Sequence, residues 1–413
     1  MKDLSRRAAV RLTGGAVAGG AILRAGATGL TASLNRPRQR AYLGCYSTSG
    51  SRGIGIGSVD PGSGELTVDS WSDDIAHPSW LAMSPDRRTL YAVGELVPDG
   101  QLHTVHLDRA GRPAGLERTP TGRGPVHITV TPSGRHLLVA LYDGGQVAVH
   151  SVLADGTATL AGHTVDFGRS ALTPHPDPTE SSDSPTHRPA TPAAGPAPDQ
   201  GTHDSGTSRP LVHQSVLDPV AARHLLVCDL GGDRIHIHGF DPHSGQSSPA
   251  GQTRLRAGSS PRHLMFHPNG RYVYTANEGD STVTVCRWDA RQGTLTPLRS
   301  TSTLRKPSRV RNHPSELVLS PDGRHLYVAN RGDNSVAVFS VDGEGGRLIL
   351  RGTPSSGGDW PRHLTVDATG RWLYVANQRS GEVVCFALDP GTGLPVREAH
   401  RLAVPAVSQV LLV

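Results

Sequence analysis

One phrase recurs along this chain and constrains its fold more than any other feature. "SPDGRHLYVANRGDNSVAVF" at 320–339 has relatives in "SPDRRTLYAVGE" (84–95), "TPSGRHLLVALYDGGQVAVH" (131–150), "DPVAARHLLVCDLGGDRIHIH" (218–238), "HPNGRYVYTANEGDSTVTVC" (267–286) and "DATGRWLYVANQRSGEVVCF" (367–386). The turn residue after the first strand falls at Pro85, Pro132, Pro219, Pro268, Pro321 and Ala368, at intervals of 47, 87, 49, 53 and 47. Each unit reads as four short strands joined by tight turns. Such a unit cannot bury its apolar faces alone and must stack on copies of itself, and a period near 47 with four strands is that of propeller blades.

The one long interval exceeds the others by about forty residues, the length of a Pro/Ser/Thr-rich stretch at 169–210 that has no apolar periodicity. It reads as a disordered loop inserted into a regular array. The chain ends supply one more blade in halves. Residues 41–72 look like strands two, three and four of a unit, and the terminal "AVSQVLLV" (406–413) looks like a lone first strand. Joining them gives an all-β, seven-bladed propeller of four-stranded blades over 41–413, closed by pairing the C-terminal strand with the N-terminal strands so that no edge is left open. The 49 glycines and 32 prolines suit its many turns.

In such a fold the first strand of each blade lines the channel, and the start of strand one and the end of strand two share one rim. The starts include His127, His213, Arg262-His263, Ser315-Glu316 and Arg362-His363; the ends include Glu95, Asp229, Glu278, Arg331 and Gln378. Charged and hydrogen-bonding side chains therefore gather at one end of the channel, while the other end carries ordinary turn residues. That pattern suits a polar site, and equally suits polar residues that only satisfy one another where blades converge.

Other functions are disfavoured. The net charge of +5 is spread through turns such as "SGRH" and "NGRY" and not gathered into a basic run with aromatic platforms, so no nucleic-acid partner is expected. Cys45, Cys228, Cys286 and Cys385 show no CxxC spacing and sit in apolar runs, as small buried hydrophobes do; one disulfide remains open. No metal site is expected. His236 and His238 share a face of a third strand away from the channel and read as surface residues. Residues 1–40 open with "SRRAAV", an apolar stretch from Leu12 to Leu23 and Ala25-Gly26-Ala27, resembling a twin-arginine export signal, too short and glycine-rich to span a membrane.

The same residues carry a family resemblance. "AYLGCYSTSGSRGIGIGSVDPGSGELT", "HPSWLAMSPDRRTLYAV", "VHQSVLDP", "PRHLMFHPNGRYVYTANE", "SELVLSPDGRHLYVANRGDNSVAVF" and "WPRHLTVDATGRWLYVANQ" resemble the seven-bladed lactonase family, which holds the propeller-type 6-phosphogluconolactonases and the fungal carboxy-muconate lactonizing enzymes. The resemblance implies a metal-free site in which His213, Arg262, Glu278 and Arg331 are catalytic; no cofactor is expected, and the rim pattern adds His263, Glu316, Arg362, His363 and Asp229 as substrate-binding candidates. The sequence departs from the family pattern at Leu211, Gly94 and Leu141, where a histidine and two amides are usual.

Opening a lactone needs a base for the attacking water and donors for the oxyanion. Glu278 or His213 suits the first role, and Arg262 and Arg331 the second. The expectation is a monomeric enzyme acting on a small-molecule lactone, with no membrane contact beyond export. The alternatives are a lactonizing cycloisomerase and a non-catalytic propeller that binds carbohydrate or protein through its top face. If the leader reading holds, Arg6→Lys with Arg7→Lys blocks export, and cell fractionation finds the protein retained inside; unchanged extracellular protein would defeat it.

Overall fold

The recurring turn has a local cause. In "SPDG"-type corners the first side chain accepts the backbone N–H five residues on: Thr89 N to Ser84 Oγ at 3.0 Å, His136 N to Thr131 Oγ1 at 3.1 Å, His325 N to Ser320 Oγ at 3.0 Å, Trp372 N to Asp367 Oδ1 at 2.8 Å. The glycine three residues on takes the left-handed conformation, with φ of 69° at Gly134, 70° at Gly323 and 69° at Gly370. Each corner thus fixes the register of the two strands it joins.

The computed structural model describes residues 37–47, 52–168 and 209–413. These residues form seven four-stranded antiparallel sheets. The innermost strands, in blade order, are Val407–Leu412, Leu81–Met83, Pro125–Val130, Val212–Leu217, Pro261–Phe266, His313–Leu319 and Pro361–Val366. Each touches the next around the ring, and the last returns to the first. The ring closes because Val407–Leu412 pairs with Gln39–Cys45, with Ala41 opposite Leu412 and Leu43 opposite Val410. The expected seven-bladed propeller and its closure are what the structure has. Its first strand begins at Gln39, two residues before the expected boundary, while the expected leader and linker over 1–40 and insertion over 169–210 lie outside the described residues except for 37–40 and 209–210.

Alternating apolar residues of the middle strands face the neighbouring blades. Leu138, Val147 and Val149 of one blade meet Leu225 and Val227 of the next, all buried. A tyrosine in the second strand spans the joint in four blades. Tyr42 donates to the Gly111 carbonyl, Tyr91 to Gly156 and Tyr274 to Gly345, each at 2.8 Å, and Tyr374 to Gly64 at 2.9 Å. Each bond contributes on the order of 1 kcal/mol. The four cysteines are free and buried, so no disulfide forms among them.

The flanks of the insertion approach each other at Gly145, whose carbonyl accepts from Phe167 N at 3.2 Å and where a Cβ would stand 3.0 Å from the Pro210 carbonyl oxygen. Replacing residues 170–208 by a short Gly/Ser link should therefore leave the melting temperature within a few degrees, since loop length costs only ~0.6 kcal/mol per doubling. Deleting 406–413 should lower it by more than 15 °C and promote aggregation through the bared edge of Gln39–Cys45. A tail deletion that melts like the intact protein refutes closure as a source of stability.

Candidate functional site

Seven copies of one four-residue opening bring the site together. Aligned on the structure they are His77-Pro78-Ser79-Trp80, Gly124-Pro125-Val126-His127, Leu211-Val212-His213-Gln214, Ser260-Pro261-Arg262-His263, His313-Pro314-Ser315-Glu316, Trp360-Pro361-Arg362-His363 and Ala406-Val407-Ser408-Gln409. The first residue is left-handed in five of them, with φ of 48° at His77, 60° at Gly124, 51° at Ser260, 65° at Trp360 and 52° at Ala406. Register then slips at the third, between Pro125 and His127, Val212 and Gln214, Pro261 and His263, and Pro361 and His363. A bulge of this kind sets two residues against one and breaks the alternation of faces. His213, Arg262 and Arg362 are therefore aimed toward the channel instead of into the joint between blades.

The third-position residues meet the residues that follow the second strands. Arg331 Nη2 lies 2.5 Å from Glu278 Oε2, Arg262 Nε 3.3 Å from the same oxygen, and His313 Nδ1 3.7 Å from Oε1. Arg331 Nε donates to the His313 carbonyl at 3.1 Å, and Arg262 Nη1 to the Ser315 carbonyl at 3.0 Å. All are buried. Burial alone pushes the Glu278 carboxyl up, but Arg331, Arg262 and His313 more than reverse this and hold it below the usual carboxylate range. Burial, with Arg331 and Arg362 nearby, brings the Arg262 guanidinium down to about 9, still charged at neutral pH. Arg362 stacks over Tyr46 with its Cζ 5.1 Å from the ring centroid, and Tyr46 donates to Glu95 at 2.8 Å. Among the described residues no carboxylate lies within ion-pairing distance of Arg362, although it is 8% exposed.

The fourth-position residues form the layer beneath. His263 Nδ1 is 3.1 Å from Glu316 Oε2, and His263 Nε2 is 3.1 Å from His213 Nδ1. His363 Nε2 lies 3.7 Å from Glu316. Trp80 fills the centre, with ring centroids 4.5 Å from His127, 5.3 Å from His263 and 5.5 Å from His363. Burial first, then the neighbouring guanidinium groups and imidazoles, holds His213, His263 and His127 well below the ordinary histidine value, and His363 falls to about 4.

Eight of the nine expected site residues thus come together: Glu278, His213, Arg262, Arg331 and Arg362 in the upper layer, His263, Glu316 and His363 in the lower. Asp229 does not join them. Backbone bonds of the form Glu278 N to Ser260 O (2.9 Å) and Gln378 N to Trp360 O (3.0 Å) have their counterpart at Leu230 N to Leu211 O (2.9 Å), so Leu230, not Asp229, is equivalent to Glu278. Asp229 occupies the place of Asn277, Asn330 and Asn377, and like them ties down the corner, accepting from Leu211 N at 3.0 Å and Gly232 N at 2.9 Å. It also pairs with His236 Nε2 at 3.2 Å. His236 and His238 are not surface residues: Phe167 covers both, at 4.4 and 5.3 Å between centroids.

The departures from the family pattern are filled by packing. Leu211 is buried in the joint with the preceding blade, Leu141 is buried, and a Cβ on Gly94 would stand 2.8 Å from His103 Nε2. The sequence reading missed Tyr46, Trp80, Tyr142, His313 and Trp360. The repeated "HPS" of 77–79 and 313–315 was the available signal for His313 and, through register, for Trp80. Trp360 braces Arg331 from one side, 5.5 Å from its Cζ.

A family model described as a seven-bladed β-propeller lactonase matches residues 40–412. The 6-phosphogluconolactonase of Bacillus subtilis is 26% identical over 321 residues, covering 77% of this chain and 82% of that one. The 6-phosphogluconolactonase of Erwinia tasmaniensis is 26% identical over 291 residues, 70% of this chain and 74% of that one. The solved structure of a periplasmic gluconolactonase from Pseudomonas aeruginosa superposes with a TM-score of 0.77 at 25% identity, covering 91% of this chain and 99% of that one.

The buried imidazoles make stability depend on pH. Unfolded, His127, His213, His263 and His363 take up protons near pH 6.5; folded, they resist until well below it. Between those limits the unfolded chain binds more protons, so stability is lost as pH falls below about 6.5, by ~1.4 kcal/mol per pH unit for each imidazole. Melting temperatures measured from pH 7.5 to 5 should drop steeply before the carboxylates titrate. A flat profile over that range refutes burial of these rings in the neutral form.

Proposed function

The chain belongs to the seven-bladed β-propeller lactonase family, and on that footing we propose that it hydrolyses a sugar-type lactone by metal-free acid–base chemistry at the upper layer of the channel. One observation carries this reading: the atoms left over once the buried groups have satisfied one another are those the reaction needs. Arg331 Nη1, Arg262 Nη2 and His213 Nε2 make no hydrogen bond with the described residues, while Arg331 Nε and Nη2 and Arg262 Nη1 are hydrogen-bonded and Arg262 Nε faces Glu278 only as an ion-pair contact.

His213 acts as the base. Its neutral form persists through the physiological range, and its Nε2 takes a proton from water as the oxygen adds to the lactone carbonyl. Negative charge gathers on the carbonyl oxygen against Arg331 and Arg262, where preorganised donors in a desolvated site are worth most. Collapse breaks the ring C–O bond, and the proton returns from His213 to the departing oxygen, leaving a hydroxy acid. Glu278 is the clamp. With Arg331 and Arg262 both on its Oε2, it aligns the donors and that oxygen is taken up by them. Arg362 faces a substrate hydroxyl or carboxylate. Three fixed guanidinium charges among the histidines disfavour a bound cation, which supports the metal-free assignment. The twin-arginine-type leader supports export, and with it an unphosphorylated substrate.

Glucono-δ-lactone hydrolysis followed by pH-stat, together with melting curves, tests the roles. His213→Ala should lower kcat ~100-fold or more with little loss of stability. Arg331→Lys should lose a similar factor, since an ammonium cannot both hold Glu278 and present a second donor. Glu278→Gln should cost ~3 kcal/mol of stability because it strands two buried cations. Full turnover by His213→Ala refutes the assignment of the base.

A further inference from the structure

We propose that Glu316 and His263 are positioning residues that hold His213 in the tautomer protonated on Nδ1, so that the lone pair on Nε2 is the one presented to the site. The inference rests on the reading of His213 as the base. It follows from the one member of the cluster whose hydrogen-bonding role is not open to choice. A guanidinium has only donors. Arg262 Nη1 lies 3.0 Å from the Ser315 carbonyl and 3.4 Å from His263 Nε2, so that ring nitrogen is the acceptor and the His263 proton resides on Nδ1.

From there the chain of donors runs in one direction. His263 Nδ1–H faces Glu316 Oε2 at 3.1 Å, while Leu317 N–H donates to Oε1 at 3.0 Å, so both carboxyl oxygens stand as acceptors. At the other end His213 Nδ1 lies 3.1 Å from the accepting His263 Nε2. Two bare nitrogens at that distance would repel, so His213 must supply the proton from Nδ1. Its Nε2 is then unprotonated, the reverse of the tautomer that free histidine prefers in water. The same logic of a buried acid fixing an imidazole through its far nitrogen operates in hydrolase triads; here a second imidazole is interposed.

The packing holds the rings in this arrangement. Trp80 meets His263 edge-on at 5.3 Å, and Tyr142 meets His213 edge-on at 5.6 Å. His263 is fully buried and Glu316 nearly so, which keeps water from offering either group another partner. Neither residue reaches the reacting atoms. When His213 takes a proton it keeps its Nδ1–H, and the charge it gains is balanced across His263 by Glu316.

The test reads the tautomer directly. In protein labelled with 15N-histidine, long-range proton–nitrogen correlations at pH 7.5 should show His213, identified by the signal lost in His213→Gln, with a protonated Nδ1 and a bare Nε2. Glu316→Leu and His263→Phe should each move His213 to a mixture of tautomers and lower kcat ~100-fold with KM within about threefold. Glu316→Gln, whose single amide oxygen can still accept from His263 at the loss of the bond from Leu317 N, should retain the tautomer and stay within ~10-fold of the original kcat; it serves if the larger changes unfold the protein. Finding His213 protonated on Nε2 overturns the proposal, as does a Glu316→Leu protein with tautomer and kcat unchanged. A protein inert towards every lactone but with Nδ1–H in place would overturn the lactonase reading and uphold the tautomer assignment.

Discussion

Val407–Leu412 lies against Gln39–Cys45, and through that contact seven inner strands are drawn around a single axis. Everything at the centre depends on this convergence. Side chains that would be solvated on an open sheet are forced together and lose their water. Arg262, Arg331, Glu278, Glu316 and four histidines are buried side by side as a result. Charges in such surroundings act on one another with little screening, so every one needs a partner. The ion pair of Arg331 with Glu278 and the bond of His263 to Glu316 are answers to that demand before they are parts of a mechanism.

Closure concentrates polar groups but does not decide which of them point where. That falls to the bulge in the inner strand. A regular strand would send the third residue of each opening into the joint between blades, where Leu138, Leu225 and Val227 pack. The slip between Pro261 and His263, and again between Pro361 and His363, releases Arg262 and Arg362 from that face. Where chemistry is not needed the same position is held by Val126 or by serines that bond to the neighbouring backbone, as Ser315 does to Pro361 O and Ser408 to Ser79 O. One backbone device thus serves support in some blades and the site in others.

The polar network is also a liability. Four buried neutral imidazoles and a cluster of guanidinium groups contribute little net stability beside the apolar joints, and they are what acid attacks first. Other positions near the channel are filled by packing: Leu211 and Leu141 are buried, and a Cβ on Gly94 would meet His103. The site is therefore asymmetric, with Arg262, Glu278, Arg331 and Arg362 supplied by three successive blades and His213, His127 and Trp80 by the blades across the channel.

The sequence by itself determined the architecture. A phrase repeated every 47 or so residues, with its strands and corners in fixed order, admits one stacking, and the half-units at the ends closed the ring. It also placed nine candidate residues at one rim, eight of which come together in the structure, because the end of a strand is visible in a hairpin pattern. What it did not determine was anything finer than one residue. Asp229 and Leu230 both end a strand in the sequence, and only the backbone bond from Leu230 N to Leu211 O shows which one turns inward. Trp80 and Tyr46 lie far in sequence from the residues they meet, His263 and Arg362, and reach them only when the closed ring brings their blades to one axis. The direction of each proton in the histidine chain lies further still from the sequence, since it is set by Arg262, a donor brought to His263 by a slip in register that no local pattern encodes.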